Sequence, residues 1–296
     1  MTTISDDYKK YLLPKRLLFF DLDGTIIPST AASGRRIAIS QSTYENVREF
    51  ANQHFDIDEL PELDNETCSE WYRNNGGPQG LIRQVLGKTN FSEDINDCLS
   101  FYFNGLFNRR LTKYLKEDLS YDSVPDSHLE FLKSLNNDSV MILVSYRYQS
   151  QLDFISSLGE LGLTDNNLFG PNNAFAVGEP GTSSDGSKAR FVGTMWRNEI
   201  RAQRRLVSDI GKTFPPIVIG DSIRDIHFAA DIGAIFFGVS ETGEYSSDIL
   251  LEEINKLTGQ LNSESRVFPS IADENFQEQI LNECEYYQAA VQAILA

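Results

Sequence analysis

The residues with the most chemistry in their spacing are Asp21 and Asp23, in the run Leu17-Leu18-Phe19-Phe20-Asp21-Leu22-Asp23-Gly24-Thr25. Side chains alternate along an extended strand, so two carboxylates two residues apart leave its end on the same side, and Gly24 permits a sharp turn after them. Two anions facing one way demand a cation. An Asp that caps a following helix would account for one of the pair and not for both. A Ca²⁺ loop would need a glycine at its sixth position, where Ile26 stands. A second acidic pair lies in Ile217-Val218-Ile219-Gly220-Asp221-Ser222-Ile223-Arg224-Asp225, where Asp225 follows Asp221 by about one helical turn and shares its side. Together Asp21, Asp221 and Asp225 make an oxygen-rich pocket suited to Mg²⁺, which takes a few carboxylates and keeps water and phosphate oxygens.

Carboxylates converge only if something rigid aims them. Four short apolar runs supply candidates: residues 17–20, 140–144, 217–219 and 234–237. They are continuous rather than alternating and are separated by helical stretches, which is how strands buried on both faces of a parallel sheet read. Three of them end in Asp21, in Ser145, or in Gly220 and Asp221, and open parallel sheets bind ligands at the carboxyl ends of their strands. The expected fold class is therefore α/β, a doubly wound parallel sheet.

Between the first run and the second lie more than a hundred residues, far beyond the dozen or so that a crossover needs. That gap is expected to hold a second, smaller, all-helical domain over residues 28–125, with Pro28 and Pro125 near its hinges and with residues 1–27 and 126–296 as the core. Apolar residues recur at helical spacing over 42–55, 68–74, 79–86 and 95–119, and Asn75-Gly76-Gly77-Pro78 breaks the pattern. Further on, 149–161 reads as a helix, 178–187 as a Gly/Ser-rich loop and 188–210 as a long helix. The tail from 241 to 296 carries 11 acidic and 2 basic residues and reads as a solvated helical face.

In this order, Asp21-Leu22-Asp23-Gly24-Thr25, a strand ending in Ser145, and Gly220-Asp221-Ser222-x-x-Asp225 resemble the haloacid dehalogenase superfamily. The helical insert after the first motif is similar to the cap of its phosphoglycolate phosphatase and β-phosphoglucomutase branch. The resemblance implies that Asp21 is a nucleophile that becomes an aspartyl phosphate, and that Asp23 is the general acid and base. It implies a Mg²⁺ ion held by Asp21, the backbone carbonyl of Asp23, Asp221 and Asp225. It further implies phosphate binding by Ser145 with the neighbouring Tyr146 and Arg147, and by Gly24 and Thr25. The superfamily's phosphate-neutralising lysine matches Lys188, which follows the Gly/Ser-rich loop but lacks the proline often beside it; Arg197 and Lys212 are the alternatives. Gly211-Lys212-Thr213 resembles part of a P-loop, but Leu206 stands where its first glycine must be.

The expected activity is Mg²⁺-dependent hydrolysis of a small phosphorylated metabolite, with a phosphomutase or a non-catalytic binding protein as the other readings. Composition agrees with such partners. The chain has 296 residues, 41% hydrophobic and 23% charged, with 26 Lys+Arg against 43 Asp+Glu and a formal net charge of −17. So acidic a molecule repels polyanions, which argues against nucleic acid and anionic membranes as partners. Its apolar runs are far shorter than the roughly 20 residues of a membrane span, and its first fifteen residues lack the pattern of a signal peptide, so a cytoplasmic location is expected. Cys68, Cys98 and Cys284 are too scattered for a disulfide framework or a zinc site.

Overall fold

A computed structural model describes residues 13–57, 59–74, 77–117, 124–147, 168–169, 173–177, 187–205, 214–243 and 245–295. The chain divides into two compact units, one made of Met1–Pro28 with Ser123–Ala296 and the other of Ser29–Asp122.

The first unit is built on a sheet of six strands: β1 (Arg16–Phe20), β2 (Ser139–Ser145), β3 (Ala174–Ala176), β4 (Ile217–Gly220), β5 (Ile235–Val239) and β6 (Arg266–Phe268). Their spatial order is β3-β2-β1-β4-β5-β6, and every neighbouring pair is parallel. The α/β class and the parallel sheet are thus as the apolar runs led us to expect. All five residues of β1 are buried because both faces of the sheet are covered. On one face Leu18 and Phe20 pack with Leu143, Ile217 and Ile219, beneath Phe131 and Leu132 of a helix at Asp126–Leu135 and Phe276 and Ile280 of one at Glu274–Leu295. On the other, Leu17 and Phe19 pack with Ile142 and Val218, under Val192 of Ser187–Arg205 and Ile226 and Phe228 of Ile223–Ile232. The Phe19 and Phe228 rings meet edge to face with centroids 5.5 Å apart.

At the opposite end of β1 from Asp21, Arg16 is fully buried. Its guanidinium lies over Phe214 and Tyr287 at 5.3 and 5.6 Å from the ring centroids, and 3.2 Å from the Glu283 carboxylate.

Among the described residues the second unit contains four helices: α1 (Ser29–Phe55), α2 (Asn65–Asn74), α3 (Gly77–Leu86) and α4 (Glu93–Glu117). Tyr44, Val47, Ala51, Cys68, Leu81, Val85, Leu99 and Phe103 are all buried. Continuing in chain order, the core helices are α5 (Asp126–Leu135), α6 (Ser187–Arg205), α7 (Ile223–Ile232), α8 (Ser247–Lys256) and α9 (Glu274–Leu295).

Several expectations need correction. The strands β3 and β6 were not anticipated; each has three residues at a sheet edge, too short to show a periodicity. The acidic tail is more than a solvated face: it holds β6, α8 and α9, and α9 buries Phe276, Ile280, Cys284 and Tyr287. The cysteines divide into two buried thiols, Cys68 and Cys284, and the exposed Cys98. The expected helix at 149–161 and most of the 178–187 loop lie outside the described residues, as do 206–210 of the long helix. No described helix is long and apolar enough to cross a membrane.

Candidate active site

β1 and β4 are neighbours, yet the chain continues from them to opposite sides of the sheet, and a crevice opens at such a switch point beyond the strand ends. Asp21 leaves β1 with its backbone N–H donating to the Ile219 carbonyl of β4 at 2.9 Å. Asp221 leaves β4 directly after Gly220. The chain then turns tightly: Gly24 donates to the Ile27 carbonyl at 2.7 Å, and Ile26 and Ile27 both donate to Leu22.

Gly24 has φ +84°, which other residues adopt only under strain, and a Cβ there would stand 2.0 Å from Asp221 Oδ2. From the other side, a Cβ on Gly243 would stand 2.4 Å from that of Asp221. Two missing side chains therefore form the slot that holds the Asp221 carboxylate. The Thr242 hydroxyl donates to the Gly24 carbonyl at 2.9 Å and ties the loop after β5 to the turn after β1.

Lys188, on the first turn of α6, is 1% exposed, and its ammonium donates to Asp21 Oδ1 at 2.7 Å and to Asp225 Oδ1 at 2.6 Å. Of the three cations considered for this place, the structure brings in Lys188; Arg197 is exposed further along α6, and Lys212 lies outside the described residues. The other oxygen of Asp225 accepts from the Ser222 hydroxyl at 2.7 Å and from its N–H, while Ser222 caps Asp225 N in return. This reciprocal capping box starts α7 and fixes the carboxylate that fixes the lysine. Asp225, expected as a metal ligand, thus already has donors on both oxygens. Burial raises the Asp21 carboxyl to about 7, with the Lys188 ammonium pulling against it and Asp225 and Asp23 pushing with it. The two carboxylates hold Lys188 above its ordinary value despite burial.

Ser145 ends β2, is buried, and its hydroxyl accepts from the Arg147 backbone N–H at 3.2 Å. The Tyr146 ring faces two cations, Lys188 Nζ at 4.7 Å and the Arg224 guanidinium at 5.0 Å from its centroid. Arg147, expected at the phosphate, forks onto Asp23, with Nε donating to Oδ2 at 2.9 Å and Nη2 to Oδ1 at 2.6 Å. Thr25 is fully buried, and its hydroxyl has no partner among the described residues. The Asp21, Asp221 and Asp225 carboxylates each bring an oxygen within 4.8 Å of the others; the Asp23 carboxylate, turned to Arg147, is not in that group. Three clustered carboxylates, two of them on one ammonium, leave an excess of negative charge at oxygen donors, which fits a hard divalent cation such as Mg²⁺.

The site residues that the sequence did not reveal are Thr242 and Gly243. Their only signal is a position just beyond a buried strand, at the same sheet edge as Asp21 and Asp221.

No protein-family model matches the chain, and no curated protein matches it. Solved structures do. A haloacid dehalogenase hydrolase of family IA from Entamoeba histolytica is 15% identical, with a TM-score of 0.52 over 93% of this chain and 99% of that one. A phosphonoacetaldehyde hydrolase-like protein from Oleispira antarctica is 14% identical, with a TM-score of 0.55 over 94% and 95%. A predicted phosphatase from Clostridium acetobutylicum is 18% identical, with a TM-score of 0.53 over 90% and 99%. The chain has the haloacid dehalogenase fold.

Proposed function

We propose that the protein is a Mg²⁺-dependent phosphatase that hydrolyses a small phosphomonoester through an aspartyl phosphate on Asp21. One observation carries the reading: Lys188 bridges Asp21 and Asp225 with Asp221 beside them, at the carboxyl ends of two adjacent parallel strands. The likeness to a predicted phosphatase from Clostridium acetobutylicum of the same fold supports it.

Phosphomonoester hydrolysis is among the slowest uncatalysed reactions, and a covalent carboxylate intermediate splits it into two easier steps. A carboxylate oxygen of Asp21 attacks phosphorus, the bond from phosphorus to the leaving oxygen breaks, and Asp23 delivers its proton to that oxygen. Water then attacks the aspartyl phosphate and gives a proton to Asp23, and inorganic phosphate leaves with Asp21 restored. Lys188 and the Ser145 hydroxyl, with the backbone amides beside it, hold the phosphoryl oxygens while charge builds on them. A Mg²⁺ ion held by Asp21, Asp221 and the Asp23 carbonyl supplies charge neutralisation when bound. In this reading the helical unit, Ser29–Asp122, is the cap that limits substrate size.

The test is turnover of a panel of phosphorylated metabolites with Mg²⁺ and with chelator. Release of phosphate from at least one, lost in chelator and reduced to background in Asp21→Asn, is expected. Asp23→Asn is expected to slow alkyl phosphates by roughly 10²–10⁴-fold and to spare an activated aryl phosphate, which needs no proton on its leaving oxygen. Beryllofluoride should form its adduct on Asp21. An adduct on another residue, or an active Asp21→Asn variant, overturns the mechanism.

A further inference from the structure

The Asp23–Arg147 pair carries more than the mechanism uses. Arg147 belongs to the turn that ends β2, two residues after Ser145, and its own amide points at the Ser145 hydroxyl. Its side chain is 3% exposed against 24% for Asp23, so the guanidinium is buried and the carboxylate is the more exposed partner of the pair. Both oxygens of Asp23 are engaged by one planar donor pair, at 2.9 and 2.6 Å. A fork of that shape fits two phosphoryl oxygens as well as it fits a carboxylate.

We propose that Arg147 is a shared donor, for which Asp23 and the incoming phosphoryl group compete. The inference rests on the phosphatase reading above and deepens it. A phosphate seated at Ser145 brings up to two negative charges to the turn that carries the guanidinium, where Asp23 offers one. Transfer of the fork to phosphate takes the Arg147 donors off both Asp23 oxygens. Phosphate recognition and the release of Asp23 are then one event, and a ligand without a tetrahedral anion leaves Asp23 clamped. Arg147 is a positioning residue in this scheme, acting on the proton carrier through where its guanidinium is spent.

Competition leaves a signature that simple attraction does not. If Asp23 and Arg147 act on phosphate only as fixed charges, their effects on its affinity add. If they compete, the gain from removing Asp23 exists only while Arg147 is present.

The experiment is calorimetric titration of inorganic phosphate, at constant Mg²⁺, into the wild-type protein, Asp23→Asn, Arg147→Ala and the double variant. Asp23→Asn is expected to bind phosphate about tenfold more tightly than wild type, the size of one charge-assisted bond. The double variant is expected to bind no more tightly than Arg147→Ala. Arg147→Lys keeps the charge, lacks the fork and packs more conservatively, and in that background the gain from Asp23→Asn should shrink as well. An undiminished gain in either Arg147 background overturns the proposal while leaving the phosphatase reading intact. A wild-type protein that binds no phosphate removes that reading, and this inference with it.

Discussion

Asp21 shows how a single residue's surroundings decide its chemistry. Burial lifts its carboxyl to about 7, so near neutral pH a proton competes for the same oxygens with the divalent cation proposed above. Above pH 7 the carboxylate is ionised and available; below it, each pH unit adds about a tenfold proton penalty to cation binding. Titration of Mg²⁺ into the protein between about pH 5.5 and 8 should therefore give an affinity that is flat above 7 and falls below it, and Asp21→Asn should abolish the slope. The acidic residues were legible in the sequence because Asp21 and Asp221 each follow a buried apolar run, but the finer rules did not carry over: β1 ends at Phe20 and the Asp23 carboxylate turns to Arg147, while Asp221 stands before the N-cap of α7 and not on its first turn. Lys188 was legible only by its place after a loop, since its partners lie 167 and 37 residues away. The fork between Arg147 and Asp23 spans 124 residues and the bond from Thr242 to Gly24 spans 218, and no local pattern encodes contacts set by strand order.

Among the elements, α7 is the one whose start is part of the site. Ser222 is its N-cap and also the donor to Asp225, so one hydroxyl starts the helix and steadies the anion under Lys188. Ser222→Ala should cost about 1 kcal/mol, a fall of roughly 2–4 °C in melting temperature by scanning calorimetry. It should also lower turnover, since Asp225 keeps its lysine and loses the hydroxyl that fixes its other oxygen. A variant with wild-type melting and turnover would show that the cap is redundant. The long buried strands β1, β2, β4 and β5 could be read directly, because burial on both faces leaves an unbroken apolar run. By contrast β3 and β6 owe their strand conformation to the neighbour they pair with, Val144 opposite Phe175 and Gly238 opposite Val267, and their own residues carry almost no signal. The amphipathic pattern of α9 was masked by the surplus of acidic residues around it.

At the scale of the molecule, the core unit contains a second titrating group, further along α6 than Lys188. Glu199 of α6 accepts the Leu13 N–H with both oxygens at 3.2 Å and the Gln203 amide at 2.9 Å, and burial raises it from 4.5 to about 7. Its native pKa lies above its unfolded one, so the stability it contributes is complete below about pH 4.5 and is lost as pH rises through 7. Glu199→Gln, which keeps an acceptor for Leu13, should then raise stability at pH 8 by up to about 3 kcal/mol and change little at pH 5, as read by thermal melts at the two pH values. Equal effects at both would place the titration elsewhere. The strand order has a consequence of another kind, in the timing of synthesis. β1 is the centre of the sheet, yet its two partners begin pairing with it at Ser139 and Ile217. At about 5–20 residues per second, the roughly 200 residues from β1 to β4 take some 10–40 s to emerge. For that interval the central strand has no second neighbour, while residues 29–122, contiguous in the chain, have all emerged and can fold. A ribosome-bound chain halted before residue 217 should accordingly protect the helical unit from protease and leave β1 open to it, so the insert would be the first part of this protein to reach its native form.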